Sequence, residues 1–474
     1  MAAIRATYLR RHAEIAAKLQ SLRVELDAWR KLTDEQPALK RHQSQIRLLD
    51  AMLSGLLEPV AAAVKQKPVE ATVLDDGVEW ESEILAAHSI WEVFRSKYVL
   101  RQNELFRDYL AACDDLAWEC YAPALKKLAP AGTVKAPPLV FLSSTWSPFA
   151  QSRDTNFQNE VRVTTEARQA LRGDGFQEVL QRLPIPLVSL PWYQAFHLPG
   201  AILVAHEIGH IVERDFDLSE SIRAALAQAG LAAPDVWSGW ASELFADAYG
   251  CIALGPAFGG ALIDLLATST AIVESEQRRG GEHPTRALRV ELMLLTLESQ
   301  GFLDDAQRLR AAWDATYTPP GAMADLRKDV PKVVKALLAG PYGGAALADL
   351  IPRSAAPAID KVALLAATGL QPILEALNPD PRTLIAAAQR LHEDPTRSDN
   401  AAAFAMLKRE MTRKGADQYR HAGEVIEEKT ELDAALAPQE EAARAQGRAL
   451  RNFLATLAAA SPTRADAPPG RQGP

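Results

Sequence analysis

Cysteine is nearly absent from this chain. Three thiols, Cys113, Cys120 and Cys251, in 474 residues supply neither a disulfide framework nor a C-x-x-C metal pair. Cys113 and Cys120 stand seven apart, on one face of a helix, as core residues. Long apolar runs are missing too. The most apolar stretch, Gly250 to Val273, is interrupted by Asp264 and rich in Gly, Ala and Thr, so it reads as a buried helix and not a membrane span. The opening MAAIRATYLRRHAEIAAKLQ has no continuous apolar segment of the kind a secretory signal needs. Positive charge is in deficit: 52 Lys and Arg face 60 Asp and Glu, a formal net charge of −8. Nothing draws such a chain as a whole to nucleic acid or to an anionic membrane. There is no fixed repeat period. The expectation is a soluble, cytoplasmic protein with no membrane span and no nucleic-acid partner, long enough for two or three domains.

Helical periodicity fills the first 130 residues. Tyr8, His12, Ile15, Leu19, Leu22, Leu26 and Trp29 alternate spacings of four and three within 4–32, a heptad seam. After the break at Thr33–Pro37, His42, Ile46, Leu49, Leu53, Leu56 and Val60 repeat it. A short connection makes these two helices an antiparallel hairpin. Such seams also suit a protein partner or self-association. One long helical pattern follows, from Glu79 to Leu128, with Trp80, Ile84, Trp91, Phe94, Tyr98, Leu105, Tyr109, Leu116 and Cys120 as its apolar stripe. The histidines here, His12, His42 and His88, read as packing residues.

The Pro-, Gly- and Ala-rich segment from Ala129 to Pro138 marks a boundary, and the composition then changes. Three short strands are expected: Pro138–Leu142, Asn159–Thr164 and Ile185–Leu190. The prolines flanking and within the third place it at a sheet edge, either as a plain edge or as a shelf for an extended peptide.

Next comes the most informative stretch, Leu198–Arg214, LPGAILVAHEIGHIVER. Pro199 suits a first helical turn, and the residues are apolar nearly all round, as in a buried helix. Inside it His206-Glu207-Ile208-Gly209-His210 is an H-E-x-x-H. Residues four apart project from one helix face, so the two imidazoles can share one metal ion with Glu207 beside them. Two buried histidines and a glutamate need partners, and a metal ion satisfies that need. A catalytic zinc site requires a third protein ligand. After a shorter helix from Asp217 to Gly230 and a turn at Pro234–Gly239, a second buried helix begins at Trp240. It carries Glu243 and Asp247, again four apart. One is expected to bind the metal, the other to accept the second N–H of a ligand histidine.

The combination of H-E-x-x-H with Glu243-x-x-Ala246-Asp247 on a second helix resembles the gluzincin zinc metallopeptidases. That resemblance implies His206, His210 and Glu243 as ligands of Zn2+, Glu207 as general base, and Asp247 as the partner of His206. Further on, His283-Pro284 followed by Arg289 is similar to the H-P-x-x-x-x-R element of HtpX-like and prenyl-protein endopeptidases. It implies that His283 and Arg289 lie near the cleft and help hold substrate or the developing oxyanion. Those endopeptidases cross the membrane several times and this chain shows no spans, so membrane location and prenylated substrates do not carry over. Tyr249 reads as core and His197 as a surface residue near the metal helix.

Beyond the Pro-Pro-Gly break at 319–321 the chain is helical again in short pieces, with a densely charged, solvated face expected over Lys408–Lys429. His392 and His421 carry no ligand spacing. The last residues, rich in Pro, Ala, Gly and Arg, read as a disordered tail. The sequence therefore predicts a mainly α fold around a small α+β zinc-metallopeptidase core: a helical region 1–130, the core 131–315, a helical region 316–458 and a tail 459–474. The expected function is zinc-dependent hydrolysis of peptide bonds in a protein or peptide substrate. The alternatives are a non-catalytic helical adaptor with a structural or vestigial zinc, and a latent protease activated by a partner.

Overall fold

The structure, a computed structural model, describes residues 2–66, 72–130, 135–144, 148–151, 185–275, 283–318, 324–415 and 417–460. The strand expected at Asn159–Thr164 and the tail from Ser461 lie outside these residues.

Helix α1 (Ala2–Glu35) ends because Pro37 forces Gln36 out of the helical region, to φ −98° and ψ 113°. A 3-10 turn (Pro37–His42) leads straight into α2 (Gln43–Gln66). The single helix expected over Glu79–Leu128 is two, α3 (Thr72–Val99) and α4 (Glu104–Leu128). Asn103 divides them: its side chain accepts a hydrogen bond from the Leu105 amide and caps α4, an alternative that asparagine offers to a helical backbone.

Three strands form one sheet, β1 (Leu139–Ser143), β2 (Phe149–Gln151) and β3 (Leu187–Pro191), in the order β1-β3-β2. The edge position expected for the third strand is thus corrected. β3 is central, parallel to β1 and antiparallel to β2. Pro186 precedes the strand and Pro191 ends it, so neither missing N–H interrupts the ladder.

The rest is almost wholly helical: α5 (Val204–Asp215), α6 (Ser219–Ala227), α7 (Pro234–Gly239), α8 (Ala241–Leu254), α9 (Pro256–Leu266), α10 (Thr270–Ser275), α11 (Arg286–Ser299), α12 (Leu303–Asp314), α13 (Ala324–Ala339), α14 (Leu347–Leu350), α15 (Ala356–Ala367), α16 (Gln371–Leu377), α17 (Pro381–His392) and α18 (Ala401–Gly415). A hairpin, β4 (Tyr419–His421) and β5 (Glu424–Ile426), precedes the long last helix α19 (Lys429–Ala460). Pro234–Gly239 is a short helix and not a turn, with Pro234 in its first turn. The apolar stretch Gly250–Val273 spans three helices, broken first at Gly255, which takes φ +57°. No helix among the described residues is long and apolar enough to cross a membrane.

The sheet separates two hydrophobic cores. Leu139, Phe141 and Leu187 belong to one; Val140, Leu142, Val188 and Leu190 belong to the other. Alternation along buried strands with both faces covered produces this division. The larger core gathers α4, α5, α8, α9 and most of the later helices. The smaller is built from both ends of the chain: α1, α2, α3, the β4–β5 hairpin and α19. The cores therefore do not follow the consecutive regions 1–130, 131–315 and 316–458. The heptad seam of α1 is covered within the chain: Ile15, Leu19, Leu22, Leu26 and Trp29 are all buried there. α19 lies along α2 at backbone distance, because Gly55 faces the Arg444 carbonyl and Gly447 faces the Met52 carbonyl, with no room for a Cβ at either position.

Buried charges join the two cores. Arg101 grips Asp114 with Nε at 3.0 Å and Nη2 at 2.7 Å, and the same carboxylate accepts from the Val140 amide of β1 at 3.1 Å. Next to it, Arg41 and Arg420 both donate to Asp115. The solvated helix expected over Lys408–Lys429 is corrected here: Arg420 and His421 are buried in the hairpin. Arg420 is held by an acid some 300 residues away, which no local charge pattern shows.

Asp114 generates a pH-dependent prediction. Burial works to raise its carboxyl, but Arg101 and His42 outweigh it and hold it well below the usual carboxylate range. A carboxyl depressed in this way stabilises the fold above its unfolded pKa of about 3.9, and that contribution is lost as the pH falls below it. Asp114→Asn leaves Arg101 buried without its counter-charge, at a cost of about 3–5 kcal/mol. Urea unfolding should show this deficit at pH 7, and the gap between variant and parent should narrow below about pH 4.

Candidate metal centre

The approach to the site is tighter than the sequence suggests. Leu198–Leu203, with Pro199 in its first turn, is a 3-10 segment that becomes the α-helix α5 at Val204. α5 is buried throughout its H-E-x-x-H, and its ring-bearing face meets α8. The crossing point is Gly209. A Cβ there would stand 2.8 Å from Ala246 Cα and 3.2 Å from the Cβ atoms of Ala246 and Tyr249. A hydrogen on Gly209 and a methyl on Ala246 let the two helices approach closely enough for a side chain on α8 to reach both imidazoles.

That side chain is Glu243. His206 Nε2 and His210 Nε2 are 3.2 Å apart. Glu243 Oε1 lies 3.2 Å from His210 Nε2, and Oε2 lies 3.5 Å from His206 Nε2. An ion held tetrahedrally at about 2.0–2.1 Å from each ligand has ligand–ligand edges of about 3.3 Å. The separation of the two imidazole nitrogens is close to that length, and each nitrogen has a Glu243 oxygen within 3.2–3.5 Å, so the triad could hold a metal ion. It is the one such group among the described residues.

The charges of the site are strongly coupled. Burial alone would lower the His206 imidazole, yet the carboxylates of Asp247 and Glu243 push it up to about 10. His210 is raised against the same burial by Glu213 and Glu243. Burial also works to raise Glu243, but His206, His210 and His283 draw it well below the carboxylate range. Glu213, Glu243 and Asp247 make their described ionic contacts with these imidazoles, with His283 and with one guanidinium, Arg289. The carboxylates favour positive charge between them, which imidazole protons or a divalent ion at the triad could supply.

Each expected residue can now be placed. Asp247, fully buried, has Oδ1 2.9 Å from His206 Nδ1, within hydrogen-bond distance though not linearly aligned. Arg289 holds Asp247 from the other side with two hydrogen bonds, Nε to Oδ2 at 2.8 Å and Nη2 to Oδ1 at 2.7 Å, and its Nη2 is 3.6 Å from Glu243. Its N–H groups thus face the second carboxylate of the site. The sequence places Arg289 on the first turns of α11, which Thr285 caps by accepting from the Leu288 amide. His283 puts Nδ1 3.2 Å from Glu243 Oε1, while most of its ring faces solvent. Glu207 is buried one residue after His206, and its charge acts on Arg289. Tyr249 is a core residue: its hydroxyl donates to the Cys120 carbonyl at 2.6 Å. His197 is half-buried against His392.

Two polar residues at the site carry no sequence signal. His210 Nδ1 is 3.0 Å from Ser242 Oγ, and Ser242 donates to Glu213, which accepts a further bond from Ser219 at 2.7 Å. Glu213 falls three residues after His210, and an i+3 acid on a helix is too common to mark.

The crossing predicts that Gly209→Val abolishes metal binding. A branched side chain meets backbone, which cannot yield, and α8 must move away with Glu243. Metal content by mass spectrometry and Zn2+ affinity by chelator competition should both collapse, by more than the 10–100-fold expected of a lost outer contact. Comparison with protein-family models, curated proteins and solved structures finds no match to this chain.

Proposed function

We propose that this chain is a zinc-dependent metallopeptidase that hydrolyses peptide bonds in a protein or peptide substrate. The observation that carries the reading is the convergence of His206, His210 and Glu243 within reach of one ion, with Glu207 buried on the same helix. The resemblance of these motifs to gluzincins points the same way. The donor set of two imidazole nitrogens and one carboxylate is that of a catalytic zinc with a position left open. A zinc ion bound there would act as a Lewis acid and lower the pKa of water to near neutrality.

The chain's own residues do the remaining work. Glu207 takes a proton from the attacking water and delivers it to the nitrogen of the leaving amine. Asp247 fixes the ring of His206, and Arg289 fixes Asp247, so that Nε2 keeps its aim. His283, at the exposed rim beside Glu243, is the N–H donor placed to meet a carbonyl oxygen as it gains charge. β2, at the sheet margin and packed against α5, replaces β3 as the strand beside which an extended substrate would lie.

The test is Glu207→Gln. Cleaved protein termini are compared across a proteome digested with parent or variant, and a selected peptide is then used for rates. The variant should bind zinc at one equivalent and lose activity by about 10²–10⁴-fold, the usual weight of a general base. Wild-type cleavage by the variant would remove this mechanism. Full zinc binding without any Glu207-dependent cleavage would favour an adaptor or a latent enzyme.

A further inference from the structure

Behind His210 runs a set of hydrogen bonds with a single self-consistent direction. If His210 Nε2 presents its lone pair toward His206 and Glu243, the ring proton sits on Nδ1. Nδ1 is 3.0 Å from Ser242 Oγ, so the ring donates to the hydroxyl. The hydroxyl in turn donates to Glu213 Oε2, and Ser219 Oγ donates to Glu213 Oε1 at 2.7 Å. Every group then has a role its chemistry allows: the serine hydroxyl accepts once and donates once, and the ionised carboxylate only accepts. The other tautomer breaks the sequence. Ser242 would have to donate to the ring, and a buried carboxylate oxygen would lose its donor.

Glu213 is 3% exposed and sits on α5 three residues beyond His210. It cannot support the ring directly, since its Oε2 is 4.0 Å from Nδ1. Ser242 fills that gap, and it is the residue immediately before Glu243 on α8. Ser219 opens α6. One carboxylate thus ties three helices together at the back of the ligand set. The two histidines are supported differently: His206 by Asp247 itself, His210 by an acid acting through a hydroxyl.

We propose that Glu213, acting through Ser242, is the positioning residue for His210: it holds the tautomer and ring orientation that accept a divalent ion, and so sets how tightly the ion is retained. This rests on the metal-site reading above. Nothing in the H-E-x-x-H pattern or in the second-helix motif assigns either residue.

The experiment uses the full chain as parent, Glu213→Gln, Ser242→Ala and Ser242→Thr. Zn2+ affinity is measured by competition with a chromophoric chelator, the visible absorption of the Co2+-loaded forms is recorded, and the metal-free forms are melted by circular dichroism. Glu213→Gln and Ser242→Ala should bind Zn2+ about 10–100-fold more weakly and shift the Co2+ bands. Ser242→Thr, which keeps the hydroxyl, should return both readouts toward the parent. Affinities within about twofold of the parent, well short of the 10–100-fold loss expected for an outer contact, with unchanged Co2+ spectra would overturn the proposal, even if the metal-free melting temperature fell. If Glu213→Gln does not fold, the Ser242 pair decides alone: equal affinities for Ala and Thr overturn the relay. A parent that binds no Zn2+ at one equivalent removes the metal reading itself and the relay with it, and this is seen before any variant is made.

Discussion

The site depends on how closely α5 and α8 cross. Two helices usually pack with their axes 8–10 Å apart, the distance set by the side chains at the contact. Here the contact is Gly209 against Ala246, and the Gly209 Cβ position is only 2.8 Å from Ala246 Cα. A wider crossing would carry the Glu243 carboxylate away from the two imidazoles, whose Nε2 atoms its oxygens now approach to 3.2 and 3.5 Å. The middle of the H-E-x-x-H therefore does structural work that its name omits. At position 209 it needs a residue small enough to let Glu243 reach both imidazoles.

The same crossing concentrates charge. Asp247 is one turn beyond Glu243, so the helix that brings the ligand also brings the carboxylate that supports His206. Arg289 arrives from α11 to satisfy Asp247. Glu213, one turn past His210 on α5, does for the second ring through Ser242 what Asp247 does for the first. The result is a set of imidazoles, each with a carboxylate behind it, in a region from which water is largely excluded. The imidazoles resist burial only because those acids are there, which is why His206 moves up and not down.

Much of this was legible in the sequence, and the reasons are local. His206 with His210, and Glu243 with Asp247, are i,i+4 pairs on apolar helices, and a buried helix with two polar residues on one face announces a shared partner. The cores of α1 and α2 follow from periodicity alone; on α4 the stripe holds for Tyr109, Leu116 and Cys120 but not for Leu105, which is exposed at the start of the helix. What the sequence hid involves distant partners. Arg420 read as a solvated charge because Asp115 is far away in the chain. β3 looks like an edge in the sequence because Pro186 falls inside the apolar run, whereas in the fold Pro186 precedes the strand and Pro191 ends it. Ser242 was invisible: a serine beside a glutamate has no pattern, and its role exists only once α5, α6 and α8 have met. Arg289 was read from a resemblance as a donor toward substrate, and its two hydrogen bonds to Asp247 became apparent only from the folded arrangement.

The helical ends of the chain are part of the same argument. β1 and β3 are buried on both faces, and parallel strands of this kind are found almost only where both faces are covered. One face belongs to the core that α4 and α5 bring to the sheet; the other, through Leu139, Phe141 and Leu187, belongs to the core of α1, α2, α3 and α19. Asp114 binds the β1 amide of Val140 while Arg101 donates to the Val140 carbonyl at 2.7 Å, so α4 and the strand are fixed to one another by charge as well as by contact. α4 in turn packs on α5 and meets α8 through Tyr249 and Cys120. The ends are therefore not appendages hung on the rest of the fold. They form the other side of the wall against which the helices of His206, His210 and Glu243 are set, and the close glycine contacts of α2 with α19 hold that wall together.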